Sequence, residues 1–196
     1  MNMRIYKIKV DYVKFLYNYD NRVLYAPDKP DSYTENRPYV GIVLNINGLN
    51  YFAPFERYKP RHEGLTEKLV IKFPDKNGLI SFNNMIPVPN NVLISFDINK
   101  EPKRDQLIAQ YVFCKKNWER IQRKAEQVYK NRTVHQSKPD EYIRKFCCDF
   151  TKIEEGYRDY CRLHSLDNNQ SISNSKRTIS NLISKIQKSK DWDMEI

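Results

Sequence analysis

One stretch, residues 37–62, constrains the fold more than any other part of this 196-residue chain. Its two apolar runs, Tyr39–Ile46 and Leu49–Phe55, are joined by Asn47-Gly48. Asn-Gly between two such runs is typical of a tight β-hairpin, because both central residues of the turn take positive φ angles. The pattern therefore predicts a stiff two-stranded arm that ends near residue 55.

The segment that follows this hairpin is densely charged. Residues 56–62 read Glu-Arg-Tyr-Lys-Pro-Arg-His, so one acid, three cations and a histidine lie within seven positions. Binding and catalytic side chains tend to lie on loops that a rigid scaffold holds in place. We therefore interpret this loop as the candidate functional site. The simpler alternative is that Glu56 only pairs with Arg57, Lys59 or Arg61.

Composition indicates a polyanionic partner. The formal charge is +10, with 34 Lys and Arg against 24 Asp and Glu, and the chain holds 14 Tyr, 9 Phe and 2 Trp. Basic side chains neutralise phosphates and aromatic rings stack on unpaired bases, so this combination favours nucleic acid. A basic surface that is merely solvated is the alternative.

Two elements are predicted before the hairpin. Apolar and polar residues alternate over Arg4–Val10, which indicates a strand, and Asp11 is suited to cap a helix over Tyr12–Tyr19. Residues 20–38 are rich in Pro, Asp and Asn and predict a long loop that leads into the hairpin.

Further extended segments follow the charged loop. Leu69–Phe73 and Leu79–Phe82 flank the turn sequence Asp-Lys-Asn-Gly at 75–78, which predicts a second hairpin. Met85–Pro89 and Val92–Phe96 add two more extended segments. Short strands in this number predict a highly bent antiparallel sheet or a partly open barrel.

The apolar period lengthens after Lys103. Apolar residues recur at three- and four-residue steps, at Leu107, Tyr111, Cys114, Trp118, Ile121, Ala125 and Val128. This spacing predicts one long amphipathic helix in the C-terminal half. Its other face carries cations that either contact RNA or are simply solvated, namely Lys115, Lys116, Arg120, Arg123 and Lys124.

A second helical pattern spans Tyr142–Leu163, with an interruption near Asp149–Lys152 and a weak point at Gly156. Helices after a run of strands predict the α+β class, with helices surrounding the sheet. We expect one domain over residues 1–165. Residues 166–196 then form an Asn- and Ser-rich linker and a short apolar extension.

Several chemistries lack their motifs. The chain has no G-x-x-x-x-G-K-[ST], no G-x-G-x-x-G and no H-E-x-x-H, and its three histidines are scattered. We therefore expect any chemistry to need neither metal nor cofactor. The four cysteines show no C-x-x-C spacing and are expected to be reduced, partly buried thiols. The absence of a signal-peptide core or a bilayer-length apolar stretch predicts a cytoplasmic protein without membrane contact.

Several separated blocks, taken in order, resemble the ToxN/AbiQ family of endoribonucleases, the toxins of type III toxin–antitoxin systems. Within residues 3–160 the blocks are MRIYKIKVDYVKFLYNYDNRV, RPYVGIVLNINGLNYFAPF with a Lys-containing loop after it, GLISFNNMIPVP, YVFCKKNWERIQRKAEQVY and EEGYRDY. The resemblance implies metal-independent cleavage of single-stranded RNA to a 2′,3′-cyclic phosphate, as part of phage abortive infection. It also implies inhibition by a repeated pseudoknot antitoxin RNA. An oligomer assembled through RNA is expected, with a monomer when RNA is absent.

The resemblance also implies functional positions in this chain, at Tyr12, Tyr33, Arg37 and Lys59. One departure concerns the loop, because family members commonly carry Thr-Ser or Ser-Ser before its Pro and Lys. This chain has Glu56-Arg57-Tyr58 there. The implied fold is a compact, highly bent antiparallel sheet with surrounding helices.

Metal-free RNA cleavage needs a base, an acid and cations around the phosphorus. Lys59 and Arg37 suit the cationic role because both stay charged at neutral pH. Tyr33 suits proton donation or base stacking. We hypothesise that Glu56 and His62 share the acid–base work. The remaining candidates are predicted to bind RNA, and they are Tyr12, Arg57, Tyr58, Arg61, Lys115, Lys116, Arg120 and Arg123.

Two other readings of the chain stay open. The first is a non-catalytic RNA-binding module that uses the same basic groove, and the altered loop favours it. The second is a basic protein–protein adaptor, which rests on the helices alone and predicts no salt-sensitive RNA binding.

Overall fold

The computed structural model describes residues 3–63, 67–134 and 140–165. The chain divides into two compact units, Met1–Tyr157 and Arg158–Ile196. In the second unit, residues 158–165 are helical. The linker and apolar extension predicted for residues 166–196 lie outside the described residues, so the domain boundary at 165 stays a prediction.

The first unit combines a sheet with helices, which confirms the α+β class. Its strands are β1 (Arg4–Ile8), β2 (Tyr39–Ile46), β3 (Leu49–Glu56), β4 (Val70–Lys72), β5 (Leu79–Ser81), β6 (Ile86–Pro87) and β7 (Leu93–Ile94). Its helices are α1 (Val10–Tyr17), α2 (Asp31–Glu35), α3 (Arg104–Lys116), α4 (Trp118–Thr133) and α5 (Glu141–Phe146), followed by α6, which begins at residue 150.

The seven strands form an antiparallel sheet in the order β4-β5-β3-β2-β1-β7, and β6 pairs with β3. Strand β3 changes partner along its length, because Tyr51 and Phe52 pair with β6 whereas Phe55 and Glu56 pair with β5. Strand β3 therefore connects the part of the sheet that holds β6 to the part that holds β5 and β4.

The central hairpin forms as predicted. Asn47 and Gly48 have φ angles of 51° and 77°, the positive values that a two-residue turn of this type needs. The second predicted hairpin is also present, with Ile71 opposite Ile80. Each of these turns is specified by the few residues within it, so the sequence pattern could identify both.

The structure corrects one local prediction and adds detail to two others. Helix α1 begins at Val10, so Asp11 lies in its first turn rather than at its cap. The predicted long helix is present and is bent at Asn117, the single residue between α3 and α4, whose side-chain amide donates to the carbonyl of Phe113 (2.9 Å). The predicted weak point at Gly156 is a packing contact, since a Cβ there would lie 2.9 Å from the ring of Tyr19.

The core lies where α1, α4 and the start of α6 contact the sheet. The hydroxyls of Tyr51 and Tyr129 both donate to Oε1 of Glu154, at 2.7 and 2.8 Å. The rings of Tyr129 and Phe150 stack with centroids 5.4 Å apart. This buried network links β3 to two helices on the same face of the sheet.

In the part of the chain that is described, none of the helices has the length and apolarity needed to cross a membrane.

Candidate functional site

Strand β3 leads directly into the charged loop. Glu56 is its last residue and lies opposite Leu79 of β5. The chain then forms a 3₁₀ turn over Pro60–His62, with proline at the first position, where its missing N–H costs nothing. The Lys59 N–H donates to Nδ1 of His62 (3.2 Å), and the His62 N–H donates back to the Lys59 carbonyl (2.8 Å). The backbone of Lys59 is thus held while its side chain is exposed.

A second segment faces this loop from the other side. The N–H of Phe55 donates to the carbonyl of Pro38 (2.8 Å), which ties the residues after α2 to the end of β3. Tyr33 on α2 is 55% exposed, and its ring centroid lies 6.0 Å from Cζ of Arg37. The buried Nε of Arg37 has no hydrogen-bond partner among the described residues.

The two segments enclose one cavity of about 390 Å³, here called the Lys59 cavity. Its lining residues are Tyr33, Asn36, Arg37, Pro38, Phe55, Glu56, Arg57 and Lys59. Five of the residues predicted from the sequence are therefore brought together. Three cations and one carboxylate are among its described lining residues, so the cavity is suited to a phosphate group.

His62 does not belong to that lining. It is buried, and together with Arg61 and Glu56 it lines a neighbouring cavity. Burial lowers the pKa of His62, and the nearby cations, led by Arg61, lower it further, while Glu56 raises it. The imidazole therefore favours its neutral form. Its contacts are those of a residue that fixes the loop.

Tyr58 and Arg61 also contribute to loop packing. The Tyr58 ring meets the His62 ring edge-on, with centroids 5.9 Å apart, and lies 5.9 Å from Nζ of Lys76. Nε of Arg61 donates to Nε2 of His62 (3.2 Å). A neutral imidazole has one bare nitrogen, so His62 accepts from either Arg61 or the Lys59 backbone at a given moment.

Tyr12 is not placed at the surface. Its side chain is fully buried, and its hydroxyl donates to the carbonyl of Pro87. The ring is therefore unavailable for stacking on RNA, and its observed role is to pack α1 against the sheet. Its buried neighbours Val13 and Leu16 belong to the same face of α1.

The helical cations lie apart from the Lys59 cavity. Lys115 and Lys116 are exposed in the last turn of α3. Arg120 forms an ion pair with Glu67, and Nε of Arg123 donates to the carbonyl of Glu119 (3.4 Å). The sequence grouped these cations by helical spacing, and the structure does not bring them to the loop.

Asn36, Pro38 and Phe55 are site residues that sequence reasoning missed. Phe55 is an apolar strand residue, and the other two flank Arg37 without a charge of their own. Their position next to Arg37 and Glu56 in the chain was the only available signal.

The cysteines are free thiols, as predicted, with Cys114, Cys147 and Cys148 buried. Burial raises the pKa of Cys114 and of Cys147 to about 12, so neither is poised as a nucleophile. Among the residues that are described, no three His, Cys, Asp or Glu side chains cluster closely enough to hold a metal ion.

A cation-lined cavity beside the central hairpin of a bent sheet is the arrangement of a basic α+β protein equipped to bind a polyanion. The family comparison makes the class specific. Residues 4–158 match the family described as toxin ToxN of type III toxin–antitoxin systems, and the chain belongs to that family. The resemblance drawn from the separated sequence blocks is thereby confirmed.

Individual relatives agree with this membership. The chain is 33% identical to endoribonuclease ToxN of Bacillus thuringiensis subsp. kurstaki over 169 residues, which is 81% of this chain and 84% of that protein. It is 30% identical to endoribonuclease AbiQ of Lactococcus lactis subsp. lactis over 167 residues, 79% of this chain and 87% of that protein.

Solved structures share the fold. One match is a solved structure from a bacterial type III toxin–antitoxin system, in which a non-coding RNA pseudoknot selectively inhibits the toxin. The TM-score is 0.69 and the sequence identity 32%, and the match covers 82% of this chain and 98% of that one. The structure of AbiQ, a lactococcal anti-phage endoribonuclease, matches with a TM-score of 0.68 and 27% identity, covering 83% and 99%.

Proposed function

We propose that this protein is the endoribonuclease toxin of a type III toxin–antitoxin system and that it cleaves single-stranded RNA without a metal ion. One observation carries the proposal, the convergence of Arg37, Arg57 and Lys59 on the Lys59 cavity beside Tyr33 and Glu56. The relatives named endoribonuclease ToxN and AbiQ support the same activity.

The reaction is an internal transfer at phosphorus. The ribose 2′-oxygen bonds to the adjacent phosphorus as its proton passes to a base, and the bond to the 5′-oxygen breaks as that oxygen takes up a proton. The products carry a 2′,3′-cyclic phosphate and a 5′-hydroxyl. Negative charge gathers on the non-bridging oxygens, where Lys59 and Arg37 stabilise it.

Glu56 is the base in this proposal. Among the residues that the structure describes, it is the one carboxylate that lines the Lys59 cavity, and it stands in the segment where family members commonly have hydroxyl residues. Tyr33 is exposed at the rim and stacks on a base or donates the proton to the leaving oxygen. His62, which lines the neighbouring cavity instead, acts as a positioning residue that holds Lys59.

The helical cations serve RNA binding rather than cleavage. Lys115, Lys116 and Arg123 are exposed on α3 and α4 and suit contacts to the backbone of a structured RNA. A relative inhibited by a non-coding RNA pseudoknot supports such a partner. We propose that the protein joins this RNA in an oligomer in the cytoplasm and is a monomer without it. The toxin domain in this proposal spans residues 1–165.

The test is incubation of the protein with unstructured RNA in excess EDTA, followed by analysis of the new ends. The proposal expects cleavage, with cyclic phosphate at the 3′ ends, and cleavage by Lys59→Ala that is about 10²- to 10³-fold slower under the same conditions. Loss of activity in EDTA, or ends that carry a 5′-phosphate, would refute the mechanism.

A non-catalytic RNA-binding module is the second candidate. The observation that favours it is the sequence Glu56-Arg57-Tyr58 where relatives carry hydroxyl residues. It predicts that the same RNA is bound with strong salt dependence but recovered intact after long incubation.

A further inference from the structure

The cavity on the far side of Glu56 has no role in the mechanism above. It has a volume of about 480 Å³, and its walls include Glu56, Arg61, His62, Leu69, Tyr142 and Phe146. We call it the Tyr142 cavity. Glu56 lines this space and the Lys59 cavity alike, so the two cavities share one residue of their walls.

Two large aromatic side chains stand exposed at this cavity. Tyr142 is 36% exposed and Phe146 is 46% exposed, and both belong to α5. Their ring centroids lie 4.8 Å apart with the planes inclined by 52°. An exposed pair of adjacent rings offers the kind of surface on which unpaired bases stack.

Cations surround both rings. Nζ of Lys68 lies 5.7 Å from the ring centroid of Tyr142, and Nζ of Lys145 lies 5.4 Å from that of Phe146. Arg61 adds a third positive charge on the wall of the cavity. Two carboxylates offset part of this charge, because Asp140 pairs with Lys68 and Glu56 lies in the cavity wall. Aromatic rings interleaved with cations suit a strand of nucleotides better than an apolar peptide.

Helix α5 is anchored to the rest of the unit, although it is short. The side-chain amide of Asn83 donates to the carbonyl of Phe146 (3.0 Å), and a guanidinium nitrogen of Arg22 donates to the carbonyl of Arg144 (2.9 Å). Asp140 caps its start by accepting from the N–H of Ile143 (3.2 Å). The aromatic pair is thus presented on a held surface.

We propose that the Tyr142 cavity is a second subsite for the single-stranded substrate. Bases next to the cleaved step stack on Tyr142 and Phe146, while Arg61 and Lys145 contact the connecting phosphates. This inference rests on the proposed function, because it extends the RNA path from the Lys59 cavity past Glu56. The subsite would make the protein prefer long unpaired segments over dinucleotides.

The test compares the affinities of two uncleavable probes, 2′-O-methyl oligoadenylates of two and eight nucleotides. For Tyr142→Leu/Phe146→Leu, the ratio of eight-mer to dinucleotide affinity should fall about tenfold or more relative to the wild type, because stacking is lost at one or two bases. Tyr142→Phe keeps a ring and should keep the wild-type ratio. Lys145→Glu should lower the ratio, whereas Lys14→Glu on α1 is the charge-matched control and should not.

The outcomes separate this inference from the proposed function. If the wild type cleaves RNA and the double leucine variant keeps the wild-type ratio, the second subsite is refuted and the cleavage site is untouched. A ratio lowered equally by Tyr142→Phe would also refute stacking, since that variant retains the ring. If the wild type neither binds nor cleaves RNA, the proposed function fails and the subsite fails with it.

Discussion

Two groups of cations in this protein differ in what surrounds them. One group lines a single cavity and consists of Arg37, Arg57 and Lys59. The other is spread over exposed positions of α3 and α4 and consists of Lys115, Lys116, Arg120 and Arg123. In the sequence alone, nothing distinguishes the basic residues of one group from those of the other. The difference teaches that convergence on one volume, rather than the number of charges, marks a site that can act on a phosphate.

The architecture explains the contrast. The hydrogen bond from Phe55 to Pro38 brings together two chain segments that are joined only through the whole central hairpin. Their cations therefore approach one space from two directions. Cations along a helix instead follow one another with a rise of roughly 1.5 Å per residue, so those on α3 and α4 line an extended surface rather than a single volume. The helical group is suited to follow the backbone of a long RNA.

The largest effect is expected from Lys59→Ala. Removal of a charge that stabilises the transition state should lower the single-turnover cleavage rate by about 10²- to 10³-fold. Lys116→Ala, measured at saturating RNA on the same substrate, should change that rate by less than about threefold because its charge lies on the helical surface. Equal losses in the two variants would abolish the distinction between the groups.

Arg37→Ala should have the next largest effect. A guanidinium can hold two phosphate oxygens at once, and its loss should lower kcat/KM by about 10- to 100-fold. Arg37→Lys keeps the charge without the paired donors and should recover part of the loss. Arg104→Ala, which removes an exposed guanidinium near Asp105 that belongs to neither group of cations, is the matched control. Full activity in Arg37→Ala would remove this residue from the site.

Lys115→Ala/Lys116→Ala should weaken binding more than cleavage. If each lysine contacts one phosphate, the slope of log K against log salt concentration should flatten by roughly 1.4 for single-stranded RNA. Filter binding at several salt concentrations measures this slope. An unchanged slope would show that these helical cations are merely solvated.

The smallest expected effect concerns His62 and pH. Its pKa in the folded protein lies below the ordinary value of 6.5, chiefly because of burial, so the unfolded chain binds the proton more readily. The resulting stabilisation is present above pH 6.5 and is lost as the pH falls through the lowered pKa. His62→Gln should remove this component, so its unfolding free energy should depend less on pH between 5 and 7 than that of the wild type. If the unfolding free energies of the two proteins changed with pH in parallel, His62 would not have a lowered pKa in the folded protein.

The sequence predicts those parts of the fold that depend on a few neighbouring residues, such as tight turns. Asn47-Gly48 specifies its turn through φ angles that few other residue pairs adopt, and the predicted second hairpin also formed. The bend at Asn117 was missed because apolar residues keep their helical spacing across it. Asn117 has φ and ψ angles of −111° and 22°, outside the helical range, and apolar spacing does not reveal a single such residue.

The candidate site was only partly accessible from sequence for a similar reason. Charge density in the loop identified Glu56, Arg57 and Lys59, and the family resemblance added Tyr33 and Arg37. Burial is a property of the folded chain, so the pattern could not show that Tyr12 lies in the core or that His62 turns away from the Lys59 cavity. Asn36 and Pro38 carry no signal until the chain folds.

The central claim is that the scissile phosphate sits in the Lys59 cavity, and a crystal structure with an uncleavable 2′-O-methyl RNA tests it most directly. The account predicts a phosphate within hydrogen-bonding distance of Nζ of Lys59 and of the Arg37 guanidinium, with the adjoining ribose 2′-oxygen facing Glu56. An RNA strand bound along α3 and α4 with the Lys59 cavity empty would contradict it.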